Sequence, residues 1–166
     1  MIRYCHNISM DSAKRGFWVN VQQENAIYIQ ITDPCCAFEP AMNSFREIHR
    51  FEFLDDEYEG EGHEFSITDE QAEELANILR RANDEQRHVI VSCHAGLCRS
   101  GAVTEVMSRA FGYEPGPSVR SPNQLVVKKV MRALGHEFTP ETSAFNDISL
   151  DILTSQEINF LTISTR

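Results

Sequence analysis

Three residues at fixed spacing carry the chemistry open to this chain: Cys93, then Arg99 after five intervening residues, then Ser100. They lie in H-V-I-V-S-C-H-A-G-L-C-R-S-G-A, residues 88–102. A thiolate is a nucleophile and a metal ligand. A guanidinium offers a planar fork for two oxygens of an anion such as phosphate. Val89, Ile90 and Val91 form a short apolar run of two β-branched types that suits a buried strand. Residues 102–111 read as a helix, with Val103, Val106, Met107 and Ala110 at helical spacing. A strand, a loop containing Gly96 and a helix N-terminus make an anion site, because free N–H groups and the positive dipole end face the loop. Thiols at helix N-termini or beside cations can fall from ~8.5 to ~3.5–7.5.

Each residue also has a plainer use. Cys93 could be a packed core thiol, Arg99 an ion-pair partner and Ser100 a simple helix cap. The spacing on one strand-to-helix turn favours joint chemistry. A metal site from His88, Cys93, His94 and Cys98 is a weaker rival, because its spacings do not match paired zinc ligands.

Cys93-x5-Arg99-Ser100 resembles the signature of the cysteine-dependent protein tyrosine phosphatases. The A-G-x-x-R-S portion looks most like the dual-specificity branch and its small bacterial and phage-type members. The motif covers residues 93–100, and compatible flanks extend the likeness over about residues 26–134. The resemblance implies an α/β fold with a small, mostly parallel central sheet flanked by helices, and a site at the carboxyl end of the signature strand. It implies a phosphatase acting on phosphotyrosine, and on phosphoserine or phosphothreonine if dual-specific, with no metal or other cofactor. Cys93 would form the phosphocysteine. Arg99 would grip the equatorial oxygens, and Ser100 would bond the sulfur and ease its departure. The backbone of His94, Ala95, Gly96, Leu97 and Cys98, with Arg99, would cradle the phosphate.

In that family an acid on a mobile upstream loop protonates the leaving oxygen. F-L-D-D-E at residues 53–57 fits the place, with Asp55 the first choice and Asp56 the second. Crowding among carboxylates would raise their pKa values. The chain departs from the pattern at Ser92, where the family has a histidine that orders the loop, and in its longer acidic loop. These departures keep a second reading open: a pseudophosphatase that binds phosphorylated partners without turnover. A sulfur transferase or arsenate reductase is a third, made weaker by the Arg99-Ser100 ending.

Composition narrows the partners. A length of 166 residues, 42% apolar, suits one soluble phosphatase-like domain, with residues 136–166 as a C-terminal extension. A net charge of −10 argues against nucleic acid or an anionic membrane and leaves a phosphorylated protein or a small phosphomonoester as partner. Residues 1–10 lack a signal-type apolar core, no run approaches a membrane span, and five cysteines form no framework spacing. A cytoplasmic, reduced protein is the expectation. Oligomeric state is left open.

Along the chain, residues 1–5 suggest an edge strand, residues 11–15 a short helix ending at Gly16, and Ala26–Thr32 a central strand stopped by Asp33-Pro34. Residues 48–54 alternate as a further strand. Residues 55–64 form a loop with six carboxylates. Thr68 and Gln71 make a capping box for a helix with Ala72, Leu75, Ile78, Leu79 and Ala82 on one stripe. Residues 112–117 look irregular. Ser121-Pro122 would cap a helix over 122–134, closed by Gly135, and its P-N-x-x-V start also resembles the bacterial relatives. Arg120, Lys128, Lys129 and Arg132 form a basic stretch, either a solvated face or a contact for acidic substrate flanks. Residues 160–163 are strand-like.

Overall fold

The computed structural model of the chain describes residues 1–16, 21–38 and 45–137. In order these form β1 (Tyr4–Ser9), α1 (Met10–Arg15), a 3-10 turn (Gln23–Asn25), β2 (Ala26–Thr32), β3 (Ile48–Glu52), α2 (Asp69–Asp84), β4 (His88–Cys93), α3 (Arg99–Phe111), β5 (Glu114–Pro115) and α4 (Gln124–Ala133). The five strands form one sheet in the order β3-β2-β4-β1-β5, with every neighbouring pair parallel. The fold is α/β as expected, with a sheet that is wholly parallel. Parallel strands need crossovers, and these place helices on the faces.

Burial on both faces explains the composition of the central strands. All seven residues of β2 and all six of β4 are buried. Alternation then divides them. Ile27, Ile29 and Ile31 of β2 and Val89 and Val91 of β4 enter the larger core, shared with Leu75 and Leu79 of α2, Val103 and Met107 of α3, and Val126 and Val130 of α4. Tyr28 and Ile90 face the other way, into a smaller core with Ile8, Ala13 of α1 and Phe45. Cutting a central β2 isoleucine to alanine would cost about 2–5 kcal/mol. β3, at the sheet edge, keeps only Phe51 buried.

Local signals set several boundaries. Thr68 Oγ1 accepts from Gln71 N at 3.1 Å while Gln71 Oε1 accepts from Thr68 N at 3.0 Å, completing the box. Gly16 ends α1 in the left-handed region. Three expectations are corrected. β1 is not at the edge: it lies between β4 and β5, because Glu114-Pro115 in the supposedly irregular connection adds a short outer strand. α3 starts at Arg99, ahead of its first periodic apolar residue. α4 is capped by Asn123, not by Ser121-Pro122, because the Asn123 carboxamide accepts from Val126 N at 3.0 Å. Residues 160–163 lie outside the described residues.

Candidate functional site

Parallel strands bring their carboxyl ends to one edge of the sheet. Here Ser9 pairs with Cys93, and Thr32 with Glu52. The loop from Cys93 to Arg99 leaves this edge and turns directly into α3. Cys93 is 2% exposed, and its Sγ lies 3.1 Å from Ser100 Oγ in the first turn of the helix.

Gly96 makes the turn possible. Its φ is +73°, and a Cβ there would sit 2.3 Å from Ser9 N and 2.4 Å from Ile8 C. Both are backbone atoms, so a side chain would force the loop off β1. The loop carbonyls are held from outside. His94 O accepts from Met10 N at 3.4 Å, Gly96 O from Asn7 Nδ2 at 2.8 Å, Leu97 O from Ser121 N at 3.1 Å and Cys98 O from Asn123 N at 3.0 Å. Among the described residues, none of the backbone N–H groups from His94 to Arg99 donates a hydrogen bond. Carbonyl acceptors already satisfied and amide donors left free are the pattern of an anion nest.

Arg99 is 5% exposed. Its Nη1 donates to Asp33 Oδ1 at 2.6 Å and to Phe53 O at 2.7 Å. Its Nε is buried with no acceptor among the described residues. One corner of the guanidinium is thus fixed by β2 and β3, and the Nε–Nη2 edge is left for a bidentate anion. Sequence reasoning missed Asp33, taking Asp33-Pro34 only as a turn. The available signal was a carboxylate just past the end of a strand flanking β4.

The acidic loop is anchored rather than loose. Leu54 N donates to Phe65 O at 2.8 Å, closing its base. Asp55 Oδ1 accepts from Asn123 Nδ2 at 2.7 Å, Glu57 Oε1 from Gln124 N at 2.8 Å, and Glu59 pairs with Lys129 Nζ at 2.5 Å. Asp55 and Glu57 therefore face the start of α4, where carboxylates suit the helix dipole, and Glu59 meets the middle of that helix. Asp56 faces elsewhere, accepting from His63 Nδ1 at 2.6 Å and Tyr58 N at 3.0 Å. These bonds, that to His63 foremost, hold the Asp56 carboxyl below its ordinary pKa. Glu64 is likewise lowered, by the Gly62 N–H. The expected rise from crowding is therefore corrected for both: local donors outweigh repulsion between exposed carboxylates.

Other expectations resolve residue by residue. The Cys98 thiol is pushed up, first by burial and then by the Asp55 carboxylate nearby. Ser92 is buried and its Oγ lies 2.7 Å from Tyr28 OH, on the strand face opposite Cys93. His94, Leu97 and Ala95 are exposed. A cleft of about 520 Å³ opens beside the loop rather than above Cys93, lined by Met10, Lys14, Asp33, Cys36 and His94 among others. The basic stretch splits up: Lys129 bonds Glu59, Asp69 and Ile67 O, and Arg120 pairs with Glu105 at 3.2 Å. Those two side chains serve the chain's own carboxylates. Among the described residues, no three His, Cys, Asp or Glu side chains gather as metal ligands. Nor is any helix among them long and apolar enough to cross a membrane.

No protein-family model and no curated protein matches the chain. Nine solved chains do match. The chain is similar to the crystal structure of the human tyrosine phosphatase-like serine/threonine/tyrosine-interacting protein, with a TM-score of 0.51 and 15% identity, over 75% of this chain and 86% of that one. The chain has a phosphatase-like α/β fold.

Proposed function

We propose that this chain hydrolyses phosphate monoesters, phosphotyrosine foremost, through a phosphocysteine on Cys93 and without a metal. The observation that carries the reading is the loop of residues 93–99. Its carbonyls are bound from outside, while its amides and the buried Arg99 Nε have no acceptor among the described residues. Such donors stabilise a phosphoryl group whose charge grows in the transition state.

The Cys93 thiolate attacks phosphorus and the S–P bond forms as the P–O bond to the leaving group breaks. The amides and the Nε–Nη2 edge of Arg99 hold the three remaining oxygens. The leaving oxygen takes a proton from Asp55. Water then attacks the phosphocysteine and gives its proton to Asp55. The S–P bond breaks, phosphate leaves, and Ser100 stabilises the returning thiolate from 3.1 Å. Asp55 is favoured over Asp56, because Asn123 holds its carboxyl at the start of α4 beside the signature loop, whereas the Asp56 carboxyl is turned to His63 and Tyr58 N. The cleft beside His94 gives the organic part of the ester room to lie. A phosphorylated protein or a small phosphomonoester remains the expected substrate.

A binding-only reading has support of its own. Asp55 is engaged by Asn123, and the solved neighbour is itself a phosphatase-like interacting protein. One assay separates the two. Turnover of p-nitrophenyl phosphate should persist in EDTA, be blocked by vanadate and vanish in Cys93→Ser. Phosphopeptide binding with no turnover would instead establish the binding protein, and turnover surviving Cys93→Ser would end the thiol mechanism.

A further inference from the structure

Two histidines that the site does not use lie buried toward the amino end of β1. His6 is 4% exposed and His88 9%. Their rings flank that of Tyr4, His6 edge-on at 5.6 Å between centroids and His88 stacked at 5.7 Å. His88 Nδ1 accepts from Tyr4 N at 3.0 Å. An imidazole that accepts at Nδ1 is neutral and carries its hydrogen on Nε2. A proton on Nδ1 would set donor against donor and break the bond. Against His6 lies the main chain of Gly116: a Cβ there would sit 2.8 Å from His6 Cγ and 2.9 Å from Cδ2.

Gly116 begins a strap that ends at the nest. Its N–H donates to Cys5 O at 3.2 Å, Val119 O accepts from Asn7 Nδ2 at 3.1 Å, and Ser121 N donates to Leu97 O at 3.1 Å. Asn7 follows His6 on the opposite face of β1 and also holds Gly96 O. Residues 116–121 thus run from the His6 ring to the outer, carbonyl side of the phosphate nest.

The charges around the pair are committed elsewhere or exposed. Arg3 bonds Asn83 and Phe111 O, and Arg87 bonds Glu47 and Ala26 O. Glu114, beside Tyr4 in the β5 register, and Glu24, before β2, are exposed. On α1, Asp11 pairs with Arg15, and Lys14 lines the cleft at the carboxyl edge of the sheet. Tyr28 of β2 meets Ser92. Among the described residues, the histidines that meet carboxylates are His49 and His63. Burial holds both imidazoles below their ordinary pKa, and His88 lowers His6 further.

Resting on the reading of residues 93–99 as a phosphate nest, we propose that His6 and His88 form an acid-sensitive catch: neutral, they hold β1 and the 116–121 strap in place, and protonated, they release the strap and weaken anion binding. Each ring takes up its proton less readily in the fold than in the unfolded chain. Its contribution to stability is therefore complete above pH ~6.5 and is lost as the pH falls through the lower folded value.

The test compares the full chain with the double variant His6→Gln/His88→Asn, in which a carboxamide oxygen still accepts from Tyr4 N and neither position titrates. The urea midpoint of the unsubstituted protein should fall between pH ~7.5 and ~5, and that of the variant should stay nearly flat. Inorganic phosphate should bind the two proteins alike at pH ~7.5, and at pH ~5 should bind the unsubstituted protein on the order of tenfold more weakly than the variant. Comparison at one pH cancels the titration of phosphate and of Cys93, which both proteins share. A second measurement needs no substitution. Ring nitrogen shifts should place the His88 hydrogen on Nε2 at neutral pH and show both rings titrating below pH ~6.5, with exchange of the Ser121 amide hydrogen quickening over the same range. Parallel acid limbs in the two proteins, rings that titrate at pH ~6.5 or above, or a Ser121 exchange rate indifferent to their titration would overturn the proposal and leave the nest standing. Failure of inorganic phosphate to bind either protein at neutral pH would instead strike the nest itself, and the catch with it.

Discussion

Cys5 and Cys93 stand on the same face of adjacent parallel strands, and each sulfur meets a hydroxyl of α3. Cys5 Sγ lies 3.5 Å from Thr104 Oγ1, and Cys93 Sγ lies 3.1 Å from Ser100 Oγ, one helical turn earlier. Both thiols are buried in the larger core. They differ in their position along the sheet. Cys5 pairs with Val89, four residues before Cys93, and is enclosed by apolar side chains. Burial pushes its thiol up to about 12, and the Thr104 bond and the Arg120 charge offset only part of that. Cys93 sits where the sheet ends, beside a loop whose amides are free and a guanidinium whose Nε is unpaired among the described residues. A thiol facing a hydroxyl thus has two different surroundings in one sheet, and the strand's end and the helix's start make the difference.

The comparison breaks most sharply by removing each sulfur. Cys93→Ser should lower phosphatase turnover on the order of 10⁴-fold or more. Cys5→Ser should leave turnover within about twofold and cost about 1–3 kcal/mol of stability, because a more polar group replaces a packed thiol. Urea melts and initial rates on both variants decide it. Comparable activity losses would erase the distinction drawn here.

The guanidinium comes next. Arg99→Lys keeps the charge but loses the planar edge, and should lower kcat/KM by about 10²–10³-fold, with weaker vanadate inhibition. A lysine variant with near-normal turnover would show that charge alone suffices beside Cys93.

A smaller effect separates the two aspartates. Asp55→Asn should slow phenyl phosphate about 10²-fold and p-nitrophenyl phosphate far less. Asp56→Asn should change kcat by less than about threefold, since that carboxyl is turned to His63 and Tyr58 N. A leaving-group dependence reversed between the two variants would exchange their roles.

The mildest perturbation lies away from both thiols. Glu47 accepts from Arg81, His49 and Arg87. The Arg81 bond is the largest cause that holds its carboxyl at about 2, below the ordinary 4.5, against a partly opposing burial. A folded pKa below the unfolded one adds stability above pH ~4.5, and this is lost as pH falls towards ~2. Glu47→Gln should cost about 2 kcal/mol at pH 7, flatten the urea midpoint between pH 5 and 2, and leave turnover unchanged. An unaltered acid limb would remove Glu47 from the account.

Much of this molecule is legible in one dimension because its causes are local. Alternating isoleucines specify β2 and a run of β-branched residues β4, the Thr68–Gln71 pair opens α2, and Cys93, Gly96, Arg99 and Ser100 share one turn whose geometry depends on neighbouring atoms. What remained hidden depends on residues far apart in the chain. Asp33 reaches Arg99 across 66 positions, and Asn123 reaches Asp55 across 68. β1 moved from the edge to the interior only through a two-residue partner more than a hundred positions away. The acidic loop shows the same limit. Its charge was plain, yet hydrogen bonds from His63 and Gly62, and not charge density, lower the pKa values of Asp56 and Glu64. By itself the sequence determined most of the elements, the turn from β4 into α3 and the place of Cys93 on it. Tertiary structure alone decided that Asp33 meets Arg99, that Asn123 meets Asp55 and that Cys5 is enclosed where Cys93 borders the loop. Such choices turn on distances of about 3 Å between chain segments, and only the packing of the sheet and its helices creates those distances.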